Sequence, residues 1–435
     1  MFLSWEENML PRFFVFLLPF FIFIFACSCS KKANGEKDDG QPTDNEVIDN
    51  NIENETNDIF IDDSDAAVGH PPQWTISEEE DIPWAKDGIL KYYQWGTAAA
   101  DTPLWTKYHN NRIYVGGTLN FRFDHSTDAD MYLKIITDNK KVKTYQWGTD
   151  RQEIVTGAFA IDNKNNIYVI GTTTGDMGKI WTNSGYINTD CIVTVLNTTT
   201  DSFSFTQWGN EKSCEPRALY LEDDGTVVVV GVTNGRFPNQ TLHGKNDIFI
   251  SRIKNGLIET TQFGYQSGSV NNPVATSLKT ESTFYICGNT TASLPGNVFY
   301  GGSIDGFIIG IDRKSLLPSK YYQIGTAGEE SLSGLALGEN GKIYFVGSTN
   351  KIFPGFANKG NMDFFYGHIE NDTVIIDKMA GTVADDYSES CIYQNGLFLH
   401  TGSTKGDCGG TGNPLNNDNI TLVANGNATI FSHIS

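Results

Sequence analysis

Three short markers return in a fixed order along this chain from residue 90 onward, and a chain with such a period folds as a stack of like units. The first marker closes an apolar stretch with Gln and Gly: Tyr93-Gln94-Trp95-Gly96, Tyr145-Gln146-Trp147-Gly148, Thr206-Gln207-Trp208-Gly209, Thr261-Gln262-Phe263-Gly264 and Tyr322-Gln323-Ile324-Gly325, fading to Met379-Ala380-Gly381. Its glycines lie 52, 61, 55, 61 and 56 residues apart. The second is an apolar run ending in Gly, as in Tyr168-Val169-Ile170-Gly171, with counterparts ending at Gly117, Gly231, Gly288, Gly347 and Gly402. The third is an Asp that opens an apolar run, at Asp130, Asp190, Asp247, Asp305 and Asp363, with Asp418 or Asn419 last.

Each copy reads as strands. The second holds Ala158 to Ile161, the turn Asn163-Lys164-Asn165, Ile167 to Ile170, Cys191 to Val195 and Phe203 to Gln207. Asp224-Gly225, Asn340-Gly341 and Asn395-Gly396 supply the positive φ that tight hairpins need. No stretch keeps a helical period. Four-stranded antiparallel meanders repeated this often bury their faces by stacking round an axis, so the expected fold is an all-β propeller. Six blades are expected. Seven is the alternative, because Trp84 to Trp95 looks like the end of another copy and residues 57 to 97 would then form a degenerate blade.

The order of apolar strand, Asn-Gly turn, Ile-Tyr-Val-Gly, Phe-Pro loop, Asp-led strand and aromatic-Gly resembles the bacterial SBBP-type β-propeller repeat over residues 88 to 435. The Phe-Pro element stands at Phe237-Pro238 and Phe353-Pro354, becomes Leu294-Pro295 in the fourth copy, and is missing from the first two and the last. The resemblance implies a propeller and a cell-envelope location. It implies no enzyme activity, so no catalytic residue is carried across.

Ahead of the repeats the composition changes twice. Arg12 precedes the 14-residue apolar run Phe13 to Ala26, which suits a signal-peptide core and falls short of a membrane span. It ends in Ile24-Phe25-Ala26-Cys27-Ser28-Cys29, which resembles a lipobox with Cys27 as the acylated residue and Cys29 as the alternative. Acyl chains would hold the protein on a membrane without a spanning helix. Residues 28 to 85 then carry 16 acidic against 3 basic side chains, as expected of a disordered tether. The expected organisation is a signal peptide over 1–26, a tether over 27–85 and a propeller over 86–435.

A net charge of −21 argues against nucleic-acid binding, which needs clustered Lys and Arg. The repeated Asp residues sit where a carboxylate caps backbone N–H groups at a strand entry, so a structural role is expected before an acidic binding ring. Cys191 with Cys214, and Cys391 with Cys408, fall at strand ends that the repeat brings to one face, and export permits disulfides there. Cys287 is expected as a buried thiol. No metalloprotease, hydrolase-elbow, C-x-x-C or phosphate-loop motif is present. His125 with Asp124, Asp128 and Asp130 is a local cluster that reads first as a solvated loop. No cofactor is expected. The expected function is a monomeric, membrane-anchored cell-envelope scaffold that binds a protein or glycan. A propeller hydrolase or lyase with an axial site, and a periplasmic assembly factor for envelope proteins, are the alternatives.

Overall fold

The computed structural model describes residues 72–77, 80–81, 102–120, 129–137, 141–178, 188–266, 269–339, 341–394, 396–406, 418–425 and 428–434. Cys27 and Cys29, residues 57–71, Trp84 to Trp95, His125 and Cys408 lie outside them. Among the described residues every regular element is a β-strand.

The strands assemble as six antiparallel sheets in chain order, each a meander in which consecutive strands pair. The burial of each strand follows its place. Val227–Thr233, second in the third sheet, is buried at every position, because sheets cover it on both faces. Leu257–Phe263, fourth in the same sheet, alternates exposed and part-buried residues before ending in two buried ones. First strands of successive sheets lie against one another, and those of the second and fourth sheets also approach each other. The sheets are therefore the blades of a β-propeller with the first strand innermost and the fourth outermost. One end of the propeller carries the second-to-third-strand loops and the connections between blades, and is called the loop end below. The other carries the hairpins. Tight two-residue turns form there at Asn110-Asn111 and Asn371-Asp372, whose φ values are all positive.

All six innermost strands carry a β-bulge at the same level, for example between Pro216 and Ala218 and between Leu332 and Leu332's second neighbour Gly334. The bulge explains the glycine that ends the second marker. A Cβ on Gly231 would stand 2.3 Å from the Glu215 carbonyl oxygen and 2.5 Å from the Phe249 ring, and one on Gly171 2.2 Å from the Ile154 carbonyl. Only glycine lets the bulged strand lie this close.

The tryptophans of the first marker join one blade to the next. Trp147 Nε1 donates to Thr194 Oγ1 and Trp208 Nε1 to Ser251 Oγ, each at 3.0 Å and each across a blade junction. At the equivalent positions of the next blade junction stand Phe263 and Ile309, both in one apolar cluster, so an indole N–H is present where the following blade offers a hydroxyl and absent where it offers an aliphatic side chain.

The expected tether ends earlier than the sequence suggests. Gln73–Ile76 and Glu80–Asp81 both pair antiparallel with Lys141–Gly148, adding an outermost strand to the first blade. Trp74 lies 5.6 Å from Phe203 and 6.4 Å from Phe205 on the second blade, centroid to centroid. The Gln-Trp-Thr-Ile sequence is strand-forming despite its acidic surroundings, and among the described residues it extends blade 1.

Substituting Gly231 by Ala should destabilise the fold by about 2–4 kcal/mol, since backbone must move to admit the methyl group. Ala at Gly225, which has open space around it but a φ of 81°, should cost only about 1 kcal/mol. Chemical denaturation of the two variants checks the ranking.

Candidate functional site

The loop end carries two recurring polar arrangements. The first joins the Asp that opens each third strand to the Gln of the fourth. Gln146, Gln207, Gln262 and Gln323 donate Nε2 to Asp130, Asp190, Asp247 and Asp305 at 2.9, 2.8, 3.1 and 2.7 Å. The same amides hold the long loop of their blade. Oε1 of Gln207, Gln262 and Gln323 accepts the N–H of Met177, Phe237 and Leu294, and Nε2 also donates to the carbonyls of Gly175, Gly235 and Ala292. Phe237, Leu294 and Met177 are buried, so each loop is fixed by one apolar side chain and one amide. Met177 fills in the second copy the place that Phe-Pro marks elsewhere.

The glycine after the Gln belongs to this unit. A Cβ on Gly148 or Gly209 would stand 2.0 Å from Oδ1 of Asp130 or Asp190. In the fifth blade Met379 replaces Gln; its sulfur accepts the Phe353 N–H at 3.4 Å, and Asp363 takes the loop N–H groups of Lys359 and Gly360 as Asp247 takes those of His243 and Gly244.

The second arrangement lies between blades and was not anticipated from the sequence. Glu153 and Glu330 open the first strands of blades 2 and 5 and are fully buried. Glu153 accepts the Thr149 N–H at 2.6 Å, the Thr149 hydroxyl at 2.8 Å and the Thr173 hydroxyl at 2.6 Å. Glu330 repeats this with Thr326 and Thr349, and the buried Asp386 of blade 6 accepts the N–H and hydroxyl of Thr382. Both threonine oxygens around Glu153 receive backbone N–H groups, from Arg151 and Gly175, so their own protons point at the carboxylate. The signal was legible as Gly-Thr with Glu or Asp four residues after the Thr, at Gly148, Gly325 and Gly381.

These carboxylates face those of the preceding blade. Oδ1 of Asp130 and Oε2 of Glu153 converge on the space beside Gly148, and Asp363 and Asp386 converge beside Gly381. Burial pushes the Glu153 carboxyl up to about 7 against its three hydrogen bonds, with Asp130 adding to the rise. Burial likewise raises Asp305 and Asp386, with Glu330 and Asp363 respectively contributing.

Among the described residues no group of three or more His, Cys, Asp or Glu side chains is arranged to hold a metal ion. Asp130 is engaged by Gln146, while its three neighbours in the sequence cluster lie outside the described residues. Cys191 and Cys214 are buried free thiols beside each other, and Cys391 is a buried free thiol in the first strand of blade 6. The structure thus holds no bridge between Cys191 and Cys214. Burial raises the Cys391 thiol, and the thiol that adds to the rise is Cys287.

Blade 6 also places Ser388 Oγ 2.8 Å from His400 Nε2, at positions filled by Leu332 and Phe345 in blade 5. Among the described residues His400 Nδ1 meets no hydrogen-bond partner, and burial lowers the imidazole to about 4, so it is neutral. Glu389 sits at the neighbouring bulge, and its crowded surroundings raise its carboxyl. At the hairpin end an open hollow of about 450 Å³ is lined by Glu222, Asp223, Asp224, Thr226, Arg252 and Lys254. Burial works against ionisation of Glu222, but Arg313 and Lys279 hold it below its ordinary value.

No protein-family model matches the chain, and no curated protein matches it. Solved structures with a similar fold include the β-propeller domain of the Trilobed protease from Pyrococcus furiosus, at 9% identity and a TM-score of 0.43, covering 77% of this chain and 85% of that one. Pyrococcus horikoshii acylaminoacyl peptidase is similar at 9% identity and 0.41, and the chain spans less than half of it, 46%, while 77% of this chain is covered. Penicillium chrysogenum α-L-arabinanase is similar at 8% identity and 0.40, over 63% of this chain and 79% of that one.

Because the folded-state value of Glu153 lies above its ordinary 4.5, its contribution to stability is complete below pH 4.5 and is lost as pH rises through about 7. The loss is at most about 3 kcal/mol. Glu153→Gln should flatten the fall in stability between pH 5 and about 7.5. Denaturation midpoints of the two proteins across that range test this.

Proposed function

We propose that this protein is a lipid-anchored cell-envelope scaffold that presents the loop end of its propeller to a protein or glycan partner. The observation that carries the reading is the contrast at that end. Its recurring carboxylates and amides are turned inward to hold loops and blades, while apolar side chains stand outward on the loops they hold. Val298 and Tyr300 of the blade 4 loop are 70% and 54% exposed, Ile352 of the blade 5 loop 53%, and Val383 of the next connection 87%. These segments adjoin one another: Gly302 packs on Gly328, Gly328 on Lys351, and Gly360 on Ala384. Loops pinned in this way offer a preformed apolar surface, which lowers the ordering cost of binding. The acyl chain on Cys27 and the acidic segment after it would place this surface at a distance from the membrane. The SBBP-type repeat pattern supports the same location.

A hydrolase reading draws on a different observation, Ser388 of the innermost strand of blade 6 hydrogen-bonded to His400 of the second strand, with Glu389 next in the chain. A neutral imidazole hydrogen-bonded to a serine hydroxyl is the arrangement that activates a nucleophile.

Metabolic labelling with a fatty acid should mark the wild-type protein and fail in Cys27→Ala, with Cys29→Ala unaffected; retention of label in Cys27→Ala overturns the anchor assignment. After in-cell cross-linking, Tyr300→Asp with Val383→Asp should abolish recovery of whatever partner the wild type yields. Leu257→Asp at the hairpin end should not, and equal loss from both ends would refute a loop-end surface.

A further inference from the structure

The junction between blades 2 and 3 departs from its neighbours at one position. Where the others place Glu153, Asn271, Glu330 and Asp386 at the head of the first strand, blade 3 has Cys214, only 1% exposed. The threonine that elsewhere donates into this position is Thr233, and here it does not. Asn210 donates to Thr233 Oγ1 at 2.6 Å, and the Thr233 hydroxyl goes to the Ser213 carbonyl at 3.0 Å. The polar net of this junction therefore closes without Cys214.

Its sulfur turns the other way. Cys214 Sγ lies 3.7 Å from the Trp208 carbonyl oxygen, and Trp208 is the cross-strand partner of Cys191. Cys191 is fully buried in the same apolar cluster, with its thiol in hydrogen-bonding reach of the Cys214 thiol. The backbones are tied beside them, for the Cys214 N–H donates to the Thr189 carbonyl at 3.0 Å and the Thr189 hydroxyl to the Cys214 carbonyl at 3.2 Å. Two thiols from adjacent blades are thus held together where every neighbouring junction has a polar clasp.

We propose that Cys191 and Cys214 form an inter-blade disulfide that is installed while the chain folds and cannot be installed afterwards. The oxidant is a small or protein disulfide. One cysteine thiolate attacks it, releasing a thiolate and leaving a mixed disulfide; the second cysteine then displaces the remaining thiol, so the pair loses two electrons and two protons to the oxidant. Both steps need a thiolate and an open approach. In the folded protein the approach is closed to both sulfurs, because the pair is enclosed, and burial drives the Cys191 thiol well above its ordinary value. Folding in a reducing medium would therefore trap the dithiol seen in this structure. Export, as proposed above, would supply the oxidant in the cell, but the chemistry is tested without it.

The full chain is unfolded and reduced, then refolded either with reduced and oxidised glutathione or with dithiothreitol, alkylated, digested with trypsin and weighed. The glutathione sample should give the peptide ending at Lys212 joined to Ser213–Arg217, lighter by two hydrogens than the pair. Closing this 24-residue loop should raise its melting temperature by about 5 °C over the dithiothreitol sample. Cys214→Ser should erase both differences. Recovery of Cys191 and Cys214 as alkylated thiols from the glutathione sample, or joined to other cysteines, overturns the pairing. Oxidised glutathione added to the protein already folded in reductant should leave both thiols intact for hours; oxidation as fast as in the unfolded chain overturns the folding gate.

Discussion

The amide of the glutamine near the end of the fourth strand is the interaction on which the loop end depends. It donates to the Asp of the neighbouring strand, donates to a loop carbonyl and accepts a loop N–H, so three segments distant in the chain meet on one side chain. Glutamate would be a poor replacement, since it would lose the amide's two N–H donors and face the Asp carboxylate at hydrogen-bond distance, where only a shared proton could join them. Blade 5 shows what remains when the amide is absent. Met379 keeps the acceptor role through sulfur, and Asp363 accepts two loop N–H groups just as Asp247 does beside Gln262. The loop keeps its Asp contacts and its acceptor while losing only the amide's two donors.

Much of the blade was legible because its markers are imposed by backbone geometry. A glycine under a bulge, a glycine against a carboxylate and an Asp at a strand entry leave the same residue in copy after copy, as at Gly171 and Gly231 or at Asp190 and Asp247. The clasp between blades was not read, although Gly-Thr and a following acid stand in the sequence. Its third member, Thr173 for Glu153, comes from another strand 20 residues away, and the segment reads locally as a polar connection. Gln73–Ile76 was hidden for the opposite reason: four strand-forming residues sit within an acidic stretch whose average composition indicates a tether. Strand ends carrying Cys191 and Cys214 were placed together by the repeat alone. The proximity of Cys391 to Cys287 depends on how blades 4 to 6 pack, which no periodicity encodes.

The junctions differ in chemistry while sharing a shape. Glu153 and Glu330 close theirs with carboxylate and hydroxyl groups, Asn271 accepts the Thr290 hydroxyl as a neutral amide, and Cys214 leaves the polar net altogether. Rising pH acts on the Glu153 junction in the folded protein, whereas the Cys191–Cys214 pair is enclosed there and open to an oxidant only while the chain folds. A repeated architecture can therefore respond unevenly round its ring, with each response confined to the blades that share the junction.

The indole contacts have a further implication for the order of the blades. Trp147 and Trp208 each donate a hydrogen bond to a hydroxyl on the following blade, and Phe263 and Ile309 stand at the equivalent places of the next junction. Moving blade 4 to follow blade 1 would set a buried N–H against an aliphatic side chain, leaving it without an acceptor. Although the copies look interchangeable by pattern, recombination or circular rearrangement that separates a blade from its successor breaks a matched pair. The sequence of this ring is thus written at its seams, one neighbour at a time.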